Sequence, residues 1–488
     1  FTRGQGIKIE SLIFKECYEL GMLVPALEST PFGATATATG QEESYEGAIV
    51  LDPIPGFYNV SPIGVCDFAS LYPSTIISEN ISYDSLVWVK EFDLDGNLVK
   101  TTTLGDENDA PPGTTWNAIE FNTWMIKPGD TRKQPEKVKK GVRVCCYAQP
   151  ADGSKSTLPN IVGKLLAKRK SKRKEAEKES DPFKKALLDA EQLAYKLTAN
   201  SLYGQLGSPT FKIRMQNLAA SVTAYGRIQI LHAKDAILEF YKPGVKEFKE
   251  PPTTFETGLV KDKNGIVVRQ AMNAEEVQYI KSLNASEYRL KELAWRDLKG
   301  SHDVKRTHGF TAWKAGKAGV PIDVCPGGAE IVYGDTDSLF VNFNCKDTGD
   351  SKKSIVDTIE LTENAGKFVT QNLKSPHDFE YDKVFYPFII FSKKRYVGNK
   401  YEESPDSFKQ TSMGIVLKRR DNAPLLKTIY GGAIQILLNE RNFLKAVEFV
   451  KEKCAEMMKG KTSAYQLTIT KSLRDKYNTP TPPPHRIL

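Results

Sequence analysis

C-x-x-C cysteine pairs, long apolar runs and an opening apolar h-region are not found in this sequence of 488 residues. The seven cysteines, Cys17, Cys66, Cys145, Cys146, Cys325, Cys345 and Cys454, form no C-x-x-C pair and no zinc-ligand spacing with the five histidines, so reduced thiols in an intracellular protein are expected. The longest apolar runs, such as 386–391, fall far short of the roughly 18 residues that a bilayer-spanning helix needs. No apolar h-region opens the sequence, and the expectation is a protein that is not secreted and has no membrane partner. Compositional bias is absent too: 40% hydrophobic, 26% charged and 10% aromatic residues exclude disordered, collagenous and fibrous classes. There is no internal repeat, and the length suits roughly three domains of about 150 residues each.

What is present begins with charge. Lys and Arg number 68 against 60 Asp and Glu, a net +8, which hints mildly at a polyanionic partner without deciding fold or chemistry. The chain starts at Phe1 and stops at Leu488 after a run of prolines, and the expectation is an excerpt of a longer protein.

Apolar residues Ile9, Leu12, Ile13, Cys17 and Leu20 lie at helical spacing within residues 7–23, and a Gly/Thr/Ser-rich loop follows over 30–44. Strand-like runs occur at 47–51 and 63–66, and residues 94–152 read as short strands and loops between turn clusters at 95–97 and 111–113. Between 160 and 206 there are almost no breakers except Asp181-Pro182, which predicts a helical hairpin of 160–179 and 183–203. A long helix over 219–241 follows. Residues 242–325 are polar, Lys-rich and interrupted by Pro251-Pro252, an insertion of undetermined structure. A strand, tight turn and strand are predicted over 331–343, a further strand pair over 379–396, and helices from Ala423 onward.

Two distant segments carry acidic residues at the ends of apolar strands. Ile63-Gly64-Val65-Cys66 ends on Asp67 and passes into Phe68-Ala69-Ser70-Leu71-Tyr72-Pro73-Ser74, a turn into a helix. Ile331-Val332-Tyr333 leads into Gly334-Asp335-Thr336-Asp337-Ser338, which puts acidic residues at a hairpin turn. Carboxylates there are costly unless paired, and a divalent cation is a natural partner. Taken singly, Asp-x-Asp is most often a solvated turn, and Asp after a strand is most often a helix cap. Lys196 and Asn200 stand four apart and share a helix face with Tyr203, a cationic and hydrogen-bonding stripe. Residues 164–174 hold seven basic residues in eleven, including Arg169 and Arg173. That run reads equally as a solvated face, a nuclear-localisation signal or a binding stripe.

Asp67-x-x-Ser-Leu-Tyr-Pro-Ser74, Lys196-x-x-x-Asn-Ser-x-Tyr-Gly204 and Tyr333-Gly-Asp-Thr-Asp-Ser338, in that order, resemble the three polymerase motifs of family B DNA polymerases. Further matches are Lys393-Lys394-Arg395-Tyr396, Arg419-Arg420-Asp421-Asn422, Leu467-Thr468-Ile469-Thr470-Lys471, Arg3-Gly4-Gln5-Gly6-Ile7-Lys8 and Tyr45-Glu46-Gly47-Ala48. The resemblance covers nearly the whole chain except about 94–152 and 242–325. It implies an α+β, right-hand polymerase fold: an N-terminal helix and linker over 1–44, an antiparallel-sheet palm from 45–159 and 207–422, helical-hairpin fingers over 160–206, and a mainly helical, truncated thumb over 423–488.

By the same resemblance the activity is template-directed DNA synthesis from deoxynucleoside triphosphates in replication. Asp67 and Asp337 would ligate two Mg²⁺ ions, for which Mn²⁺ can substitute, with the Phe68 carbonyl completing the shell. Asp335 would be a third catalytic acid, more acidic support than ligand, and Glu380 a further acidic residue near the metals. Arg169, Arg173, Lys196 and Asn200 would hold the incoming triphosphate, with the backbone N–H groups of Ser70 and Leu71 at a helix start. Tyr72 would stack under the sugar and exclude a 2′-hydroxyl. Primer-template contacts, mostly to phosphate and minor groove, would fall to Tyr45, Gly47, Tyr203, Gly204, Lys393, Lys394, Arg395, Tyr396, Arg419, Arg420, Thr470 and Lys471. For the Lys-Lys-Arg-Tyr segment taken alone, an exposed strand edge with basic guards is the simpler reading.

Partners implied are primer-template DNA, dNTPs, a sliding clamp and accessory replication proteins, in a nucleus or a cytoplasmic viral factory. The insertion at 242–325 resembles those of delta-like polymerases from large DNA viruses, and Thr75 departs from the Ile common after the first motif. No Asp-x-Glu exonuclease motif precedes Arg3, so no proofreading is expected from this chain. A catalytically silent DNA-binding relative is the main competitor, and retention of Asp67, Asp335, Asp337, Lys196 and Asn200 argues against it.

Overall fold

The computed structural model describes residues 4–24, 44–103, 114–127, 136–208, 210–241, 260–261, 267–269, 328–347, 349–402, 404–418, 422–470 and 473. Arg419, Arg420 and Lys471, most of the 30–44 loop and nearly all of the 242–325 insertion lie outside the described residues.

In chain order the strands are β1 (Ser44–Tyr45), β2 (Gly56–Tyr58), β3 (Ile63–Phe68), β4 (Leu86–Phe92), β5 (Leu98–Thr103), β6 (Thr115–Ile126), β7 (Lys137–Gln149), β8 (Val260–Lys261), β9 (Val267–Arg269), β10 (Glu330–Asp335), β11 (Ser338–Asn342), β12 (Phe379–Ser392), β13 (Arg395–Tyr401) and β14 (Lys409–Met413). The principal helices are α1 (Gln5–Glu19), α2 (Leu71–Ser78), α3 (Thr157–Lys178), α4 (Pro182–Leu206), α5 (Gln216–Phe240), α6 (Ser351–Gln371), α7 (Pro424–Gln435) and α8 (Phe443–Met458). The described residues form a mixed α/β structure with antiparallel sheets.

The central sheet has the order β10-β11-β3-β12-β13-β14, with β2 added on β12. Strand β3 is apolar on both faces because both are covered. Cys66 and Phe68 pack with Ile230 and Ile237 of α5 and Phe368 and Val369 of α6. Ile63 and Val65 join Val332, Tyr333, Phe340, Phe385 and Phe388 on the other face. Helix α6 lies close on the sheet because Gly64 has no side chain: a methyl there would overlap Thr362 Oγ1 and sit 3.0 Å from the Phe343 ring.

The second sheet runs β1-β6-β7-β4-β5. Here the expectation of short strands over 94–152 is corrected, since β6 has 12 residues and β7 has 13, paired along their whole lengths. Asp95-Gly96-Asn97 closes the β4–β5 hairpin rather than ending a sheet, with Asp93 Oδ1 accepting from the N–H groups of Asp95 and Asn97. Residues 47–51 are likewise not a strand. They make one isolated bridge, Val50 to Asp335, beside the edge of the central sheet.

The α3–α4 pair is an antiparallel hairpin, started again after Glu179 by Pro182 and by the Asp181 side chain, which accepts from the N–H groups of Phe183 and Lys184. Helix α1 buries Ile9, Ile13 and Cys17 against it and is pinned by Glu16 to Lys164 at 2.6 Å. Helix α7 passes through a π-helical turn, Ile436–Glu440, and α8 follows with Asn442 as its N-cap. Among the described residues no helix is long and apolar enough to cross a membrane.

Candidate active site

Backbone pairing brings the two acidic segments together. Strand β3 lies between β11 and β12, with Asp67 opposite Ser338 on one side and opposite Glu380 on the other. Phe68 N–H donates to the Asp337 carbonyl at 2.9 Å, and Ala69 N–H donates to the Asp378 carbonyl at 2.8 Å. The hairpin between β10 and β11 needs a left-handed residue, and Thr336 takes it at φ 60°.

The electrostatics of the pair are distinctive. Burial, and then the charge of Asp337 and of Asp382, push the Asp67 carboxyl up to about 7, against the opposing pull of Lys383 and Lys196. Asp337 is raised as well, by burial first and then by Asp335, while its own backbone N–H, Lys196 and Lys394 work the other way. The protein's own cations leave this pair of carboxylates under-compensated. Its donors are all hard oxygens, and among the described residues no three His, Cys, Asp or Glu side chains converge into a cage. Two carboxylates and a main-chain carbonyl, completed by substrate phosphates and water, are a donor set that fits Mg²⁺. Phe68, the residue that would lend the carbonyl, is fixed by its ring, 4.6 Å from that of Phe379.

Asp335 is occupied differently. Both its oxygens take the Lys394 ammonium, at 2.7 and 2.9 Å, and they also accept from Tyr333 Oη at 3.0 Å and Thr336 Oγ1 at 3.1 Å.

Above the acids, Ser70 adopts φ 63° as the N-cap of α2, so the first N–H groups of that helix, Leu71 and Tyr72, have no acceptor within it. Arg169 of α3 reaches Ser70 Oγ at 3.4 Å, and its charge, with that of Arg173, faces Glu380. Glu380 is itself raised, mainly by a hydrogen bond with Asp378. Lys196 and Asn200 are exposed on α4, with Lys196 acting on both Asp67 and Asp337.

Tyr72 packs against Tyr203 with ring centroids 4.5 Å apart and planes tilted by 38°, and Gly226 of α5 makes room for it, since a methyl there would stand 3.0 Å from the Tyr72 ring. Tyr203 in turn hydrogen-bonds Tyr45. Gly47 lends its carbonyl to Arg227 at 2.9 Å, and Gly204 is open to solvent.

Lys393-Lys394-Arg395-Tyr396 forms the tip of the β12–β13 hairpin, with Lys394 at φ 59°. Lys393 is bound to the Val50 carbonyl at 3.0 Å and Asp52 at 2.8 Å. Arg395 is exposed, and Tyr396 joins the cluster of Phe340, Phe385 and Phe388. Thr470 is exposed.

The sequence reading missed Asp382 and Lys383, whose charges act on Asp67, Asp378, which hydrogen-bonds Glu380, and His377, which is buried and bonds Thr75 Oγ1 at 3.1 Å. Their one available signal was the density of ionisable residues at the start of the strand pair predicted over 379–396.

Two carboxylates at the ends of neighbouring antiparallel strands, under a basic helical hairpin, define a class of metal-dependent centre for phosphate chemistry. The chain belongs to DNA polymerase family B, whose family model matches residues 1–487. It is 35% identical to a DNA polymerase of Pyramimonas orientalis virus, over all of this chain and 35% of that protein. A DNA polymerase of Phaeocystis pouchetii virus is 33% identical over 77% of this chain and 29% of its own length. The DNA polymerase delta catalytic subunit of Candida albicans is 28% identical over 96% of this chain and 33% of its own. The chain thus spans about a third of the length of the curated relatives it matches. Members of the family depend in general on divalent metals.

Proposed function

We propose that this chain carries the polymerase centre of a replicative DNA polymerase. It adds deoxynucleotides from dNTPs to a primer 3′-hydroxyl, with the central sheet as palm, the α3–α4 hairpin as fingers and the helices from α7 onward as thumb. The observation that carries the reading is the placement of Asp67, at the end of β3, beside Asp337 in the neighbouring β10–β11 turn, with Phe68 N–H donating to the Asp337 carbonyl and both carboxyls raised by burial. Family membership supports it.

On this reading Asp67, Asp337 and the Phe68 carbonyl hold Mg²⁺, which when bound would activate the 3′-hydroxyl and offset charge on the departing pyrophosphate. Arg169, Arg173, Lys196 and Asn200 bind the triphosphate from the α3–α4 side, and the α2 N-terminus offers it N–H groups. Tyr72, backed by Tyr203 and by the space at Gly226, fills the volume that a ribose 2′-hydroxyl would need. On the same reading Tyr45, Tyr203 and Arg395 track template and primer without reading sequence.

Primer extension on a short primer-template with Mg²⁺ and four dNTPs tests this, beside a DNA-binding titration. The wild-type chain should extend the primer, and Asp67→Asn should stop extension while binding stays within about twofold. An extension rate in Asp67→Asn close to wild type would end the metal assignment.

A further inference from the structure

Outside the catalytic pair, a well-connected polar junction lies at the other end of β3. Asp347 N–H donates to the Val60 carbonyl at 2.7 Å, just before β3 begins at Ile63, whereas Asp67 lies at the end of that strand. The Asp347 carboxylate accepts from Ser351 Oγ at 2.6 Å, from Tyr386 Oη at 2.8 Å and from Gly349 N–H at 3.0 Å. Those partners belong to the start of α6, the middle of β12 and the segment that leads from β11 into α6, all on the body built around the central sheet.

The fourth partner comes from elsewhere. Arg441 follows the π-helical turn that ends α7, and its guanidinium donates to Asp347 Oδ2 at 3.1 Å and to Ser351 Oγ at 3.4 Å. The same guanidinium lies 4.6 Å from the centre of the Tyr386 ring. Arg441 holds φ 53°, a left-handed conformation uncommon for a residue with a long side chain and found where the surroundings over-determine it. Around this contact the two bodies also meet through Ile389 and Val397 against Ile434 and Leu438, and through Asn399 donating to Asn439 at 3.1 Å. The apolar layer can slide; a planar guanidinium held by a carboxylate, a hydroxyl and a ring face has one seat.

The geometry points to Arg441 as a positioning residue: clasped by Asp347, Ser351 and Tyr386, it fixes the angle of the C-terminal helices against the central sheet and so sets how long the protein stays on duplex DNA. This rests on the proposed reading of α7 and α8 as the part that embraces the duplex. Because the clasp lies at the opposite end of β3 from Asp67, it acts on the hold on DNA and leaves the reacting atoms untouched.

The test uses the full chain and its variants Arg441→Gln, Asp347→Asn and Tyr386→Phe, the double Arg441→Gln/Asp347→Asn, and Arg441→Lys. Three quantities are read: dissociation of a fluorescent primer-template into a DNA trap, the length of product made in one encounter, and the single-turnover rate of one incorporation from the preformed complex. Dissociation should quicken about three- to tenfold in Arg441→Gln and Asp347→Asn, in line with a partly exposed charge-assisted contact. Product length should shorten in step. The double variant should be no worse than the worse single one, Arg441→Lys should recover part of the loss, and the single-turnover rate should stay within about twofold. Unchanged dissociation in both singles, or loss confined to the single-turnover rate, overturns the clasp. If Arg441→Gln does not fold, Asp347→Asn decides the matter, and unchanged dissociation in it overturns the clasp; Tyr386→Phe, which keeps the ring and removes only the hydroxyl that donates to Asp347, should quicken dissociation by less than Asp347→Asn. A wild-type chain that binds but does not extend would count against the proposed activity alone, because the dissociation arm still judges Arg441.

Discussion

The ammonium of Lys394 lies 2.7 and 2.9 Å from the two carboxylate oxygens of Asp335, and the backbone N–H of Lys394 donates to Tyr333 Oη at 3.0 Å. The tip of the β12–β13 hairpin is thereby stapled to the hairpin that carries Asp337. The two acids of Asp335-Thr336-Asp337 therefore have different environments: Asp335 is consumed by neighbours, and Asp337 faces Asp67 in a pair that lacks compensation.

That difference predicts unequal costs. Asp337→Asn should lower single-turnover incorporation by on the order of 10² to 10³, the scale of losing a group that stabilises the transition state. Asp335→Asn should cost about 10-fold, the scale of losing an orienting partner. Rapid-quench measurement of both variants at saturating Mg²⁺ and dNTP checks the ordering, and equal losses would contradict it.

The packing of Tyr72 against Tyr203, with Gly226 behind it, predicts sugar selection by volume. Tyr72→Ala should raise ribonucleotide incorporation relative to deoxynucleotide by about 100-fold, whereas Tyr72→Phe, which keeps the ring, should change it little. Competition between rATP and dATP on one template base reads the ratio directly, and an unchanged ratio in Tyr72→Ala removes the steric role.

Much of this was legible in the sequence because it is local. The α3–α4 hairpin announces itself by periodicity and one Asp-Pro break, and the turn at Thr336 by acidic residues between apolar strands. The β6–β7 pair was misread because β6 carries polar residues on both faces, Asn117 on one and Glu120 and Asn122 on the other, which look like breaks when no partner strand is known. The Asp335–Lys394 pair was illegible for another reason. Lys394 looked like a DNA contact by motif, and only the pairing of strands far apart in sequence shows its charge already engaged. Asp382 likewise reaches Asp67 only through a bulge in β12, between Tyr381 and Lys383.

Asp347 predicts the acid limb of the stability profile. Ser351 first, then Tyr386, Gly349 and Arg441 hold its carboxyl well below the usual carboxylate range. A depressed folded-state pKa contributes stability that is complete above the unfolded value, about 4, and is lost as pH falls through the folded one. Urea melts of wild type and Asp347→Asn should thus differ by a constant amount above about pH 5, with the gap closing steadily below about pH 4. A gap that widens as the pH falls would reverse the sign and refute the assignment.

The close approach of α6 to the central sheet gives the sharpest test of packing. At Gly64 a methyl group would overlap Thr362 Oγ1, which is itself committed to the Thr358 carbonyl at 2.5 Å, and the Phe343 ring stands 3.0 Å away on the other side. Neither neighbour can swing aside, because both are fully buried. Gly64→Ala should therefore destabilise by about 1 to 3 kcal/mol, the cost of overpacking a filled core. Removing the obstacle as well, in Gly64→Ala/Thr362→Ala, should recover part of that loss, since the added methyl then occupies the space vacated by the hydroxyl. Because β3 carries Asp67 three residues further on, the single variant should also slow primer extension, and the double variant should restore rate and stability together. Recovery of stability without recovery of rate would mean that the position of Asp67 does not depend on how tightly α6 is seated.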